Sequence, residues 1–171
     1  VLSRRFVWKS SRGRRVRFCF ERFVSMADLH AAGQRIEIEP LDGPVRVEIV
    51  SGIDANVTNL NLVTTSPLPV QPGRRHLKTL RAGPDTIETV VETLPKGVRL
   101  FHGQRVKVDG PEGEVRGASA NAEGLTAKRF RCAAKRGDVV RHTKLAWIYT
   151  SRDGVRPERL LAKSMNAPAD Y

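Results

Sequence analysis

His76 and His142 each follow an arginine and stand two residues before a lysine, in Arg75-His76-Leu77-Lys78 and Arg141-His142-Thr143-Lys144. An imidazole can move protons or hold a metal, but either task needs further ligands or a partner base at suitable spacing. None accompanies these two. Cationic neighbours also disfavour the imidazolium and compete with a metal ion. The pattern suits basic residues on a strand face, or a small phosphate-contacting cluster. Cys132 lies among Arg131, Lys135 and Arg136, whose charge would favour a thiolate. It has no positioned base, and a buried structural thiol is the better reading. No Gly-x-Ser-x-Gly elbow, no P-loop and no Gly-x-Gly-x-x-Gly helix opening occurs. Asn56-Val57-Thr58 is a formal glycosylation sequon without a secretory signal to give it meaning. The residues therefore predict no catalytic site, no metal and no cofactor.

Charge is the stronger signal. The chain has 171 residues and a formal net charge of +12. Residues 1–25 carry eight basic side chains and one acidic one, residues 26–102 are nearly neutral, and residues 103–171 carry fourteen basic and eight acidic. Positive charge thus gathers at the two ends, which points to a polyanionic partner. The run Thr126 to Gly137 places Lys128, Arg129, Arg131, Lys135 and Arg136 around Phe130. Such cations can contact phosphates, with Phe130 assigned to the core. Together with Arg12, Arg14, Arg15, Arg17, Arg141 and Lys144 they form the expected nucleic-acid contacts. No run of 18 apolar residues is present, so no membrane-spanning helix is expected.

The elements that would position these residues read as β-strands. Ile36 and Ile38 alternate with Arg35, Glu37 and Glu39. Val45, Val47 and Ile49 alternate with Arg46 and Glu48, and Val106 and Val108 with Arg105, Lys107 and Asp109. Period-two alternation marks half-buried strands. Gly and Pro groups interrupt the chain at short intervals, as in small sandwiches or barrels. Helix is expected only over Ser25–Gly33 and Pro157–Ser164.

Gly33-Gln34-Arg35 and Gly103-Gln104-Arg105 each open a β-branched strand leading to Asp-Gly-Pro. Further short matches follow in order, including the two Arg-His-x-Lys groups. They suggest an internal duplication: an all-β fold of two tandem sandwich- or barrel-like units, residues 26–102 and 103–171. An Arg-rich arm, residues 1–25, would precede them, in which Val16, Phe18 and Phe20 form an apolar edge for subunit assembly. A start at Met26 or a targeting segment are the alternatives for that stretch. The function expected from these features is non-enzymatic: a structural protein of a nucleoprotein particle, with nucleic acid and other subunits as partners. A free-standing DNA- or RNA-binding module is the alternative.

Overall fold

The computed structural model describes residues 1–56, 77–83, 87–94 and 96–168. Eleven strands and one helix follow in order: β1 (Leu2–Lys9), β2 (Arg15–Val24), β3 (Ala31–Pro40), β4 (Val45–Asp54), β5 (Leu77–Ala82), β6 (Ile87–Thr93), β7 (Arg99–Gly110), β8 (Gly113–Glu114), β9 (Ala118–Ser119), β10 (Leu125–Ala134), β11 (Val140–Thr150) and α1 (Pro157–Asn166). The larger sheet runs β1-β2-β3-β11-β7-β6-β5, with β8 appended to β7, and the smaller runs β4-β10-β9.

The alternating apolar residues build the core between these sheets. Val108 and Val140 of the larger sheet meet Val47, Phe130 and Ala134 of the smaller, with Ile38, Val106, Ile49 and Cys132 packed around them. Two polar pairs cross the same interface: His142 Nε2 with Ser51 Oγ at 3.1 Å, and Thr89 Oγ1 donating to Thr126 Oγ1 at 3.2 Å. Such pairing offsets the cost of burying polar groups. On the opposite face α1 lays Leu161 against Val90, Phe101, Trp147 and Tyr149. Pro157 opens this helix, where its missing N–H costs nothing. The Tyr149 hydroxyl meets Ser164 Oγ at 2.8 Å.

The all-β reading therefore holds, with one short helix, but its finer parts do not. The sheets are open rather than closed into barrels. Ser25–Gly33 is not helical: it is a turn followed by the start of β3. Residues 1–25 are not a separate arm. They form a hairpin closed at Ser10–Gly13, where Gly13 takes φ +81°, and β2 pairs along its length with β3.

No repeat is visible in the strand order. β3 and β7 both flank β11, yet β3 leads across to the smaller sheet whereas β7 turns back on itself through β8. Arg141–Lys144 lies in the central strand β11, while Leu77 and Lys78 stand on the edge strand β5; Arg75 and His76 lie outside the described residues. The repeated Gly-Gln-Arg has a local cause instead. A Cβ on Gly33 would run into the Phe23 ring, and one on Gly103 into Leu161 and Met165 of α1. Both strands need glycine beside β11, each for a different neighbour.

Candidate functional site

Five of the eleven expected polyanion contacts are occupied by carboxylates of the chain itself. Arg15 holds Asp42 at 2.7 Å, Arg17 holds Glu39 at 2.6 Å and Arg141 holds Glu37 at 2.9 Å. Arg131 and Arg129 share Glu48 at 2.6 and 3.6 Å. These are cross-strand partners: Arg17 stands opposite Glu39, Arg141 opposite Glu37 and Arg131 opposite Glu48. Opposite charges facing each other on a sheet are mutually favourable. Hydrogen bonds from the Arg15 side chain and backbone hold the Asp42 carboxyl down at about 2, and Arg131 lowers Glu48 in the same way. The alternating glutamates of β3 and β4, which look solvent-facing in the sequence, are the counter-ions of the arginines.

The remaining cations are scattered. Arg12 and Arg14 sit at the β1–β2 turn, and Arg14 donates to the Pro44 carbonyl at 2.8 Å. Lys135 and Arg136 sit at the turn after β10, where the Lys135 backbone N–H donates to Asp138 at 2.7 Å. Lys128 lies at a cleft of about 530 Å³, and Lys144 faces the inner side of the larger sheet. This dispersal over both ends and several faces forms no continuous track for a phosphate backbone.

The histidine reading also changes. His142 is buried, its side chain bonded to Ser51, and burial together with Lys144 pushes it down to about 4. It is a neutral core residue rather than a cation on a strand face. Cys132 is half-buried against the core, and burial raises its thiol, in keeping with a structural role. Among the described residues no three His, Cys, Asp or Glu side chains gather as metal ligands would, and no helix is long and apolar enough to cross a membrane.

Two surfaces stand out. The first is the inner-facing side of the β1–β2 hairpin. Phe6, Phe18 and Phe20 stack with ring centroids 5.3 to 6.0 Å apart, and Arg4 lies 5.2 Å over Phe6. Trp8 stands opposite Val16 in the same row of side chains. Val16 is buried, Phe18 and Phe20 are half-buried, and Phe6 and Trp8 are exposed. The smaller sheet packs on β6 and β7, which leaves this aromatic row open.

The second surface comprises two clefts. The 530 Å³ cleft lies along the edge of β7, where Glu88 and Glu114 share it with Arg105, Lys107 and Lys128. Cations outnumber carboxylates there, and Glu114 is exposed to solvent. The other, of about 750 Å³, opens on the inner face of the larger sheet between β2 and β7. Its polar residues, Arg22, Gln34, Lys144, Gln104 and His102, come from four strands. Only Lys144 is among the contacts expected from the sequence, because the cross-strand register that gathers them is not written in any one segment.

A family model described as the N-terminal domain of glycosyl hydrolase family 65 matches residues 1–170. The chain belongs to this family. It is similar to kojibiose phosphorylase of Halothermothrix orenii, with 34% identity over 92 residues, which is 53% of this chain and 12% of that protein. A solved structure from the human microbiome, assigned as a kojibiose phosphorylase, has a TM-score of 0.69 to it. That likeness covers 97% of this chain and 21% of the other at 14% identity, and so speaks to the fold. The chain spans well under a quarter of either relative's length.

These findings overturn the expected function. The family and both relatives are carbohydrate-processing enzymes, not nucleoprotein components. The assembly protein of a virion- or ribosome-like particle, the free-standing nucleic-acid module, the nucleic-acid and subunit partners and the exclusion of an enzyme are all corrected. The arginines that suggest a polyanion partner in the sequence are faced by carboxylates that only the strand register brings opposite them.

Proposed function

We propose that this glycosyl hydrolase family 65 N-terminal domain is the non-catalytic β-sandwich of a larger enzyme that cleaves a disaccharide of the kojibiose type with phosphate. The family match over nearly the whole chain carries the reading. The names of the two relatives support the choice of substrate and reaction, and the small share of each that the chain covers supports placing the chemistry in a further module.

The aromatic row of the hairpin is the surface by which the sandwich docks on that module. Contiguous exposed apolar side chains mark contact sites, and aromatic residues are enriched at such contacts. Val16, Phe18 and Phe20 then serve cohesion within one enzyme, with Phe6 and Trp8 completing the contact. The occupant is the remainder of the same polypeptide, since most of each relative's length lies outside the region matched here.

Phe6→Ser combined with Trp8→Ser tests this. Both residues lie on the exposed edge strand β1, so the isolated chain should keep its circular dichroism spectrum. Mixed with the separately produced remainder of the enzyme, the parent chain should co-sediment and the variant should not. Equal co-sedimentation of the two would remove the aromatic row from the interface.

A further inference from the structure

The 750 Å³ concavity on the inner face of the larger sheet has a definite construction. Register sets Arg22, Gln34 and Lys144 side by side across β2, β3 and β11. The next row runs Val24, Ala32, Ala146 and Gln104, and His102 stands opposite Ile148 beyond it. Adjacent alanines on the two central strands, flanked by rows of long side chains, make a depression with a small-residue floor.

Its polar groups are not used up by the fold. Among the described residues neither Arg22 nor Lys144 has a carboxylate partner, although Lys144 is half-buried and burial alone lowers its pKa. No Asp or Glu lines the concavity. Gln104 is only 7% exposed, and its Oε1 has no hydrogen-bond donor among the described residues. Its Nε2 lies 3.4 Å from His102 Nε2. A buried acceptor without a donor is costly and calls for an explanation. That oxygen is closed off from solvent, so the groups left for a ligand are the two cations on one rim, which complement a ligand that is anionic at one end.

We infer that this concavity is a binding site for a phosphorylated saccharide. The phosphate lies against Arg22 and Lys144, and the apolar edge of the ring rests on Ala32, Ala146 and Ile148. The choice of a sugar among anionic polar ligands rests on the proposed function above. The site itself does not, because it stands on this chain alone.

Titration calorimetry on the full chain with glucose 1-phosphate, glucose and inorganic phosphate tests the assignment. Glucose 1-phosphate should bind saturably, and glucose and phosphate each at least about tenfold more weakly, since each offers half of the contacts. Loss of a charge-assisted hydrogen bond weakens binding by about tenfold or more. Arg22→Gln, on the exposed side of β2, and Lys144→Gln should each show that loss. Ala146→Leu fills the floor without touching a charge and should abolish binding.

No saturable heat with glucose 1-phosphate would overturn the proposal. So would glucose or phosphate binding as tightly, or undiminished affinity in Arg22→Gln or Ala146→Leu. Failure here leaves the association of the chain with the remainder of the enzyme untouched, and loss of that association leaves this binding measurable, so the two readings fail separately.

Discussion

Gly103→Ala adds a single methyl group at the contact between β7 and α1. A Cβ there would stand 3.0 Å from Leu161 Cδ1 and closer still to the Met165 sulfur. Leu161 is buried against Trp147 and Tyr149 and cannot yield freely, so the helix must shift or Met165 must change rotamer. Forcing a methyl into a packed site costs about 1–3 kcal/mol. Replacing glycine gains back about 0.4–1 kcal/mol by restricting the unfolded chain. The net loss should be about 1–2 kcal/mol, or roughly 2–8 °C in Tm for a domain of this size. Gly43 is the control, because a Cβ there meets nothing and its φ is not positive. Gly43→Ala should be neutral or slightly stabilising. Met165→Ala should partly relieve Gly103→Ala, so that the double variant loses less than the sum of the singles by about 0.5 kcal/mol or more. Equilibrium urea unfolding of the parent and the four variants measures this. A Gly103→Ala protein as stable as the parent, or effects that simply add, would refute the close approach of α1 to β7.

Phe130 is 4% exposed in the core between the sheets, and Phe130→Ala should cost about 3–5 kcal/mol in the same urea experiment. His142 is depressed to about 4 from 6.5. The unfolded chain therefore takes up the proton first, and stability complete above pH 6.5 should fall as pH drops from there toward 4. His142→Gln should flatten that part of the curve. Asp42 is depressed to about 2 from 3.8; its contribution is present above pH 3.8 and is lost as pH falls through about 2. Carbon-detected NMR should find its carboxyl titrating near 2, and returning to the ordinary range in Arg15→Gln.

The strands were legible because the core alternates. Ile38, Val106 and Val108 do point toward the smaller sheet. α1 was legible from Pro157 and the apolar spacing that follows it. Partnership was not legible. Arg131 and Glu48 are far apart in sequence and opposite in space, and without that register the arginines look like a polyanion surface. The apparent duplication failed for a related reason. Gly33 and Gly103 answer to Phe23 and to α1 respectively, so equal residues reflect similar crowding beside β11 rather than shared descent. The concavity was invisible for the same cause, since Ala32, Ala146, Gln104 and Lys144 meet only once β11 inserts between β3 and β7.

If this sandwich is part of an enzyme that splits a disaccharide with phosphate, as proposed above, the native polypeptide that carries it should consume phosphate when given the sugar. The most direct measurement is the consumption of inorganic phosphate by the native polypeptide carrying this chain, purified to homogeneity and given kojibiose. The expected result is a polypeptide several times the 19.0 kDa of this chain that consumes phosphate only when the sugar is present. A native product of about this chain's own mass that leaves phosphate unchanged with kojibiose would contradict it.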